Sequence, residues 1–322
     1  MAKPAPSPAA KGPGKAPGRA APDKSRRAPA SVAVEGIRLT HPDRMLWRDA
    51  GVTKQGLAEF YAAIADRLLP HIVDRPLTLV RCPAGTGEKC FFQKHGWAGL
   101  NPQVRRTVLR HGDKDEEVLH VDGLAGVVAL VQAGVLELHP WGSALTDVER
   151  PDRIVFDFDP AEGLPWRAVT DAAREVRSRL RDLGLEAFLK TTGGKGLHVV
   201  VPLTPEADWE RAKAFSRSIA EAMEADSPDR YLTKASKSER TGRVFIDYLR
   251  NARGAHAVAP YSTRARPGAP VSTPLAWEEL AETRETNQFT VASLGARLGT
   301  LKADPWADFF TVKQRLPAVR RP

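Results

Sequence analysis

Cysteine is scarce: 322 residues hold only Cys82 and Cys90. With no secretory segment and no long apolar run to span a membrane, a reducing, cytoplasmic, nucleoid-associated setting with plain thiols is the expectation. Cys82, Cys90 and His95 are three potential metal ligands, but no fourth follows at a usual spacing, so no structural zinc site is read there. Large apolar side chains are almost missing from residues 1–30, which carry seven Lys or Arg and a single acid, Asp23. Such a stretch cannot bury enough surface to offset its ordering entropy, so a disordered basic tail is expected. That tail holds most of the net charge of +9. The remainder is only mildly basic, and any site for a polyanion must come from local clustering. A Walker-type phosphate loop is also missing.

What is present centres on the run Ile154 to Pro160. On an extended strand Asp157 and Asp159 point to one face, while Phe156 and Phe158 point to the other, into a core. Two adjacent carboxylates repel unless a cation or a shared proton relieves them. A divalent metal does so with hard oxygen ligands and binds substrate phosphates as well. The plain alternative is a solvated strand end turning through Pro160.

The flanking chain supplies matching parts. Val34 to Leu39 reads as a strand, and Thr53 as the N-cap of a helix to about Leu69. Lys54 in its first turn suits a bound phosphate, or is simply solvated. Phe91-Phe92-Gln93-Lys94-His95 sets two rings beside cations, as for holding unpaired bases; core phenylalanines are the bland reading. Val104–Arg110 and Glu117–Val121 read as antiparallel strands. An apolar helix over 123–134 leads to a strand ending near His139. After the acidic strand come a helix from Trp166 to Leu183 and two strands around the turn Thr191 to Gly196. The glycines of that turn let a phosphate approach backbone N–H groups, with Lys195 and His198 as further donors. A second acid-ended strand, Arg243 to Tyr248, carries Asp247 and precedes Arg250, Arg253, Arg264 and Arg266. Three carboxylates, a phosphate-cradling turn and clustered arginines together suit phosphoryl transfer assisted by two metals.

The stretches LTHPDRMLW, GVTK, RPLTLVRCP, FFQKHGW, GVLELHPWGS, PDRIVFDFDP, KTTGGKGLHVVVPL and VFIDYLRNARGAHAVAPYSTRARPGAPVSTPL run nearly end to end from Leu39. In them the sequence resembles the polymerase domain of bacterial end-joining ligases (ligase D), within the archaeo-eukaryotic primase superfamily. The resemblance implies an α+β fold: an RNA-recognition-motif-like core with mixed antiparallel sheets and flanking helices. It places an N-terminal lobe at about 31–150 and a catalytic lobe at about 151–322.

The resemblance also implies roles. Asp157, Asp159 and Asp247 match metal-binding acids. His139, Thr192, Lys195, His198, Arg250, Arg264 and Arg266 match nucleotide contacts, with Thr192 where a serine is frequent. Arg44, Lys54, Phe91, Phe92 and Lys94 fall in segments that handle the 5′-phosphate and template end. The implied activity is template-directed nucleotide addition at gaps and 3′ ends in double-strand break repair, with a ribonucleotide preference and two divalent ions, Mn²⁺ or Mg²⁺. Implied partners are DNA ends or gapped duplex, NTP or dNTP, Ku and an ATP-dependent ligase. No adenylating lysine motif is found, so nick sealing is not expected of this stretch. A non-catalytic end-bridging module and a primase are the competing readings.

Overall fold

The computed structural model describes residues 1–3, 5, 31–111 and 113–317. The expected tail thus lies almost wholly outside the described residues. β1 (Ser31–Val34) and β2 (Ile37–Thr40) form a hairpin turning at Glu35 and Gly36, which both have positive φ, in place of the single strand the apolar pattern predicts. β3 (Met45–Trp47) pairs with β4 (Val52–Thr53) and leads into α1 (Lys54–Ala63). Thr53 caps α1 as expected, its Oγ1 accepting from the Gly56 N–H at 3.0 Å. The helix stops short of Leu69: it breaks at Ile64 and restarts as α2 (Ala65–Ile72). The break redirects the axis while Leu57, Tyr61, Leu68 and Ile72 all stay buried.

β5 (Leu77–Arg81), β6 (Phe91–Gln93), β7 (Val104–His111), β8 (Lys114–Val121), α3 (Leu124–Gln132) and β9 (Val135–Pro140) complete this lobe. β5 pairs antiparallel with β6, β8 and β9, and α3 packs with α1 in a shared core. Arg81 and Phe91 are cross-strand partners, so the residues just beyond them, Cys82 and Cys90, meet at a Cα separation of 4.4 Å. They form a disulfide, which corrects the expectation of reduced thiols. Spacing alone hid this, because the pairing depends on the register of two short strands.

The second lobe contains β10 (Arg153–Pro160), α4 (Trp166–Asp182), β11 (Phe188–Thr191), β12 (Leu197–Pro202), α5 (Trp209–Asp226), β13 (Tyr231–Leu232), β14 (Val244–Asp247), β15 (Pro274–Leu275) and α6 (Leu294–Thr300). Its sheet runs β13-β14-β10-β12-β11-β15, with β10 antiparallel to both β14 and β12. Ile154, Phe156 and Phe158 bury one face of β10 in a core with Val169, Val176 and Ile219 from α4 and α5. On the other face Val155 and Val200 are covered by Trp306 and Phe309. Farther along β10 that face carries the acids. The two lobes are stitched by the returning segment, where the Ala259 N–H donates to Leu138 O at 2.9 Å and the Leu138 N–H to Ser262 Oγ at 2.9 Å. Ala259, Tyr261, Ala269 and Val271 accordingly join the core of the first lobe. The arrangement is the α+β class expected, with antiparallel sheets and flanking helices.

Candidate active site

Strand register assembles the acids. Asp157 pairs across the sheet with Asp247 on one side and His198 on the other, and His198 pairs in turn with Lys190. Directly opposed residues share a face, so the four form one row, with Asp159 two positions along β10. Burial and the neighbouring Asp157 raise the carboxyl of Asp159, and burial raises that of Asp247 as well. Burial also works against ionised Asp157, but His198, Arg250 and Lys190 outweigh it and hold this carboxyl well below the usual range. The His198 Nε2 lies 3.3 Å from Asp157 Oδ1, yet among the described residues that buried oxygen has no hydrogen-bond partner. Arg250 sits between two of the acids, 3.2 Å from Asp157 and 3.3 Å from Asp247. A solvent-shielded oxygen without a donor, beside two carboxyls resisting ionisation, fits a divalent cation. Asp157, Asp159 and Asp247 are the residues that would hold it.

The turn after β11 is closed by its own threonine. Thr192 Oγ1 accepts from the N–H groups of Gly194 (3.1 Å) and Gly196 (3.3 Å) and donates to Gly196 O at 2.9 Å. Two of the turn's amides are therefore engaged internally, and Thr192 shapes the turn from within. Gly196 is required sterically, since a Cβ there would lie 2.1 Å from Phe158 O. Lys195 stands exposed at the tip.

Two of the acids, this turn and the arginines border one cavity of 250 Å³, and Asp247 stands outside its lining. Asp157, Asp159, Thr192, Lys195, His198 and Arg250 line it from the second lobe, Phe92 and His139 from the first, and Arg264 and Arg266 from the returning segment. Phe92 is 63% exposed and Phe91 38%, so neither is a core residue. The two alternate along β6: the Phe92 ring lies 6.1 Å from His139 and 5.8 Å from His256, while Phe91 faces the Arg81 guanidinium at 6.0 Å. Lys94 is exposed and, like Phe91, does not line the cavity.

Arg44 and Lys54 lie apart from it. Arg44 borders a separate open depression with His41, Arg48 and Ala84, and donates to Pro83 O at 3.0 Å. Lys54 is buried, not solvated; its Nζ donates to Thr40 O at 2.7 Å and to Gln132 Oε1 at 3.2 Å. Burial, then Arg44, lowers its pKa.

Glu137, His256, Lys190 and Asn251 escape a sequence reading. Glu137 was findable: an acid in an otherwise apolar strand, two residues before His139 and so on its face. Asn251 was not. Its side chain bonds both the N–H (2.7 Å) and the C=O (2.8 Å) of Val155, taking over where β14 leaves the edge of β10. Among the described residues, it is Asp74, His120 and Asp122, not the three acids of the row, whose ligand atoms all lie within 4.8 Å of one another. That group does not line the cavity, and Asp122 already pairs with Arg105 at 2.7 Å.

Residues 53–306 match the family model described as LigD, primase-polymerase domain. A multifunctional non-homologous end joining protein LigD from Pseudomonas aeruginosa is 40% identical over 291 residues, spanning 90% of this chain and 35% of that protein. The Mycolicibacterium smegmatis protein of the same name is 34% identical over 77% of this chain and 33% of its own length. The chain therefore spans about a third of these relatives. Among solved structures, the polymerase domain from Mycobacterium tuberculosis ligase D in complex with DNA superposes with a TM-score of 0.79 at 29% identity, covering 85% of this chain and 98% of that one.

Proposed function

The chain belongs to the LigD primase-polymerase family, and from that membership we propose that it is a template-directed nucleotidyltransferase filling gaps and extending 3′ ends during end joining. The observation that carries this reading is that Asp157 and Asp159 line the same cavity as Lys195, Arg264 and Arg266, with Asp247 paired across the sheet from Asp157. Carboxylates at one wall and cations at another suit a metal-bound polyphosphate and little else. In the transfer, the primer 3′-oxygen bonds to the α-phosphorus and the bond to the pyrophosphate oxygen breaks. Lys195 and Arg266, exposed at the cavity rim, hold the triphosphate and stabilise the charge on the leaving group. Phe92 offers a ring face to a base, with His139 packed edge-on and His256 tilted beside it. The three acids would hold two divalent ions, Mn²⁺ or Mg²⁺, which when bound polarise the phosphoryl oxygens.

The finer assignments belong to the same proposal: preference for ribonucleotides, a 5′-phosphorylated gapped end as substrate, Ku and an ATP-dependent ligase as partners, and a cytoplasmic, nucleoid-associated location. Arg44 and Lys54 are proposed to face the 5′-phosphate; Phe91 and Lys94, the template strand. Extension of a one-nucleotide gap, with each template base in turn, tests the activity. Addition of the complementary nucleotide supports it. Binding of the gapped duplex without any addition, under Mg²⁺ or Mn²⁺, leaves an end-bridging module instead. Running ribo- against deoxynucleotides in the same assay tests the sugar preference.

A further inference from the structure

We propose that Glu137 is the positioning residue of this pocket, fixing the imidazole of His139 and the guanidinium of Arg264 in one arrangement for the bound nucleotide. The inference rests on reading the cavity as the nucleotide site. Glu137 lies on β9, a strand in which every residue is buried. Its Oε2 accepts from His139 Nε2 at 2.7 Å and from Arg264 Nε at 2.9 Å, while Oε1 accepts from the Ala265 N–H at 2.8 Å. One carboxylate thus ties the strand bearing His139 to the segment bearing Arg264. Arg264 continues the chain of contacts by donating to Thr192 O at 2.6 Å, which links Glu137 to the glycine turn.

Three donors on one buried carboxylate suit its ionised form, which accepts hydrogen bonds and donates none. Burial works to raise its pKa, but the His139 hydrogen bond and the Arg264 charge bring it down to about 2. An acceptor-only partner takes the Nε2–H of His139. Burial, with Arg264 and Arg250, keeps this imidazole neutral despite the pull of Glu137. Nδ1 is then a lone pair, and it has no hydrogen bond among the described residues. Glu137 so decides which nitrogen of His139 is left to accept from the ligand, and sets that nitrogen at a fixed place relative to Arg264. It touches no substrate itself.

The test is Glu137→Gln in the full chain. The amide keeps the volume but must turn its NH₂ either toward His139 and Arg264 or toward the Ala265 N–H, so a donor meets a donor either way. Calorimetric titration with ATP and Mg²⁺ should show affinity reduced about tenfold or more, with gapped-duplex binding unchanged. In a His139→Ala background the same change should reduce affinity far less, because Glu137 acts partly through that ring. Ring ¹⁵N shifts of wild-type protein, assigned with His139→Ala, should show His139 protonated on Nε2; this readout needs no Glu137 variant to fold. Wild-type ATP affinity in Glu137→Gln, full additivity with His139→Ala, or a His139 protonated on Nδ1 would overturn the proposal. Absence of ATP binding by wild type would instead overturn the nucleotide pocket on which it rests.

Discussion

Two charged regions of this protein are buried alike but differ in how far their polar atoms are already hydrogen-bonded. In the second lobe, burial raises the carboxyls of Asp159 and Asp247, and among the described residues a buried oxygen of Asp157 has no donor, so the acidic row is left unbalanced. In the N-terminal lobe, burial and Arg44 likewise disfavour the charge on Lys54, but its ammonium is already held by hydrogen bonds to Thr40 O and Gln132. The contrast separates groups held ready for a ligand from a group that also holds the fold together. A side chain in the first class can be removed with little loss of stability and large loss of chemistry. One in the second class combines both effects.

The largest difference should come from Asp157→Ala. Loss of a metal-binding carboxylate should reduce single-turnover nucleotide addition by at least about 10³-fold, some 4 kcal/mol of barrier. Gapped-duplex binding, measured by anisotropy, should stay near wild type, since phosphate contacts elsewhere hold the DNA. Near-normal extension by this variant would erase the contrast.

Lys54→Ala should behave in the other way. It removes two internal hydrogen bonds from a buried cation, so unfolding free energy should drop by roughly 1–3 kcal/mol in a denaturant titration. Preference for a 5′-phosphorylated over a 5′-hydroxyl gap should also fall, by about tenfold if the ammonium contacts that phosphate. Arg44→Ala sharpens the test, because exposed Arg44 should lose phosphate preference without loss of stability. If Lys54→Ala lowers stability alone, Lys54 is a tether and no more.

A smaller effect concerns pH. A folded-state pKa raised above its unfolded value, as for Asp159, gives stability that is present below the unfolded pKa and lost as pH rises through the folded one. Metal-free wild type should therefore lose stability across that window just above the ordinary carboxylate range, and Asp159→Asn should lose less. Divalent metal affinity should move oppositely, weakening as pH falls and Asp159 takes up its proton. Melting temperatures of the two proteins from acidic to neutral pH provide the check.

The smallest effect is expected from deleting residues 1–30. This removes most of the net charge but no core side chain, so the melting temperature should hardly change. Any loss in duplex binding should shrink as salt rises, because such attraction is non-specific.

Legibility in the sequence follows the same division. Period-two alternation placed Asp157, Asp159 and Phe158 on their correct faces, and the acid ending the Val244–Asp247 strand pointed to Asp247. The partners those residues meet depend on register, which no local pattern states. Hence the Asp157–Asp247 opposition, the Glu137 contacts and the Cys82–Cys90 bond emerged only with the strands aligned. Thr192 shows another limit. Its hydroxyl was expected to reach a phosphate, and its position in a tight turn engages it with the backbone instead. The burial of Lys54 was hidden too, because the amphipathic pattern of α1 gives no hint that Thr40 and Gln132 lie over its first turn.

The central claim is that the unbalanced acidic row is a metal site. It is tested most directly by counting bound Mn²⁺ by electron paramagnetic resonance, in wild type and in Asp157→Ala/Asp159→Ala, with and without a nucleoside triphosphate. The account predicts Mn²⁺ binding by wild type that strengthens with nucleotide and is lost in the double variant. Equal Mn²⁺ binding by the two proteins would contradict it and move the metal away from Asp157 and Asp159.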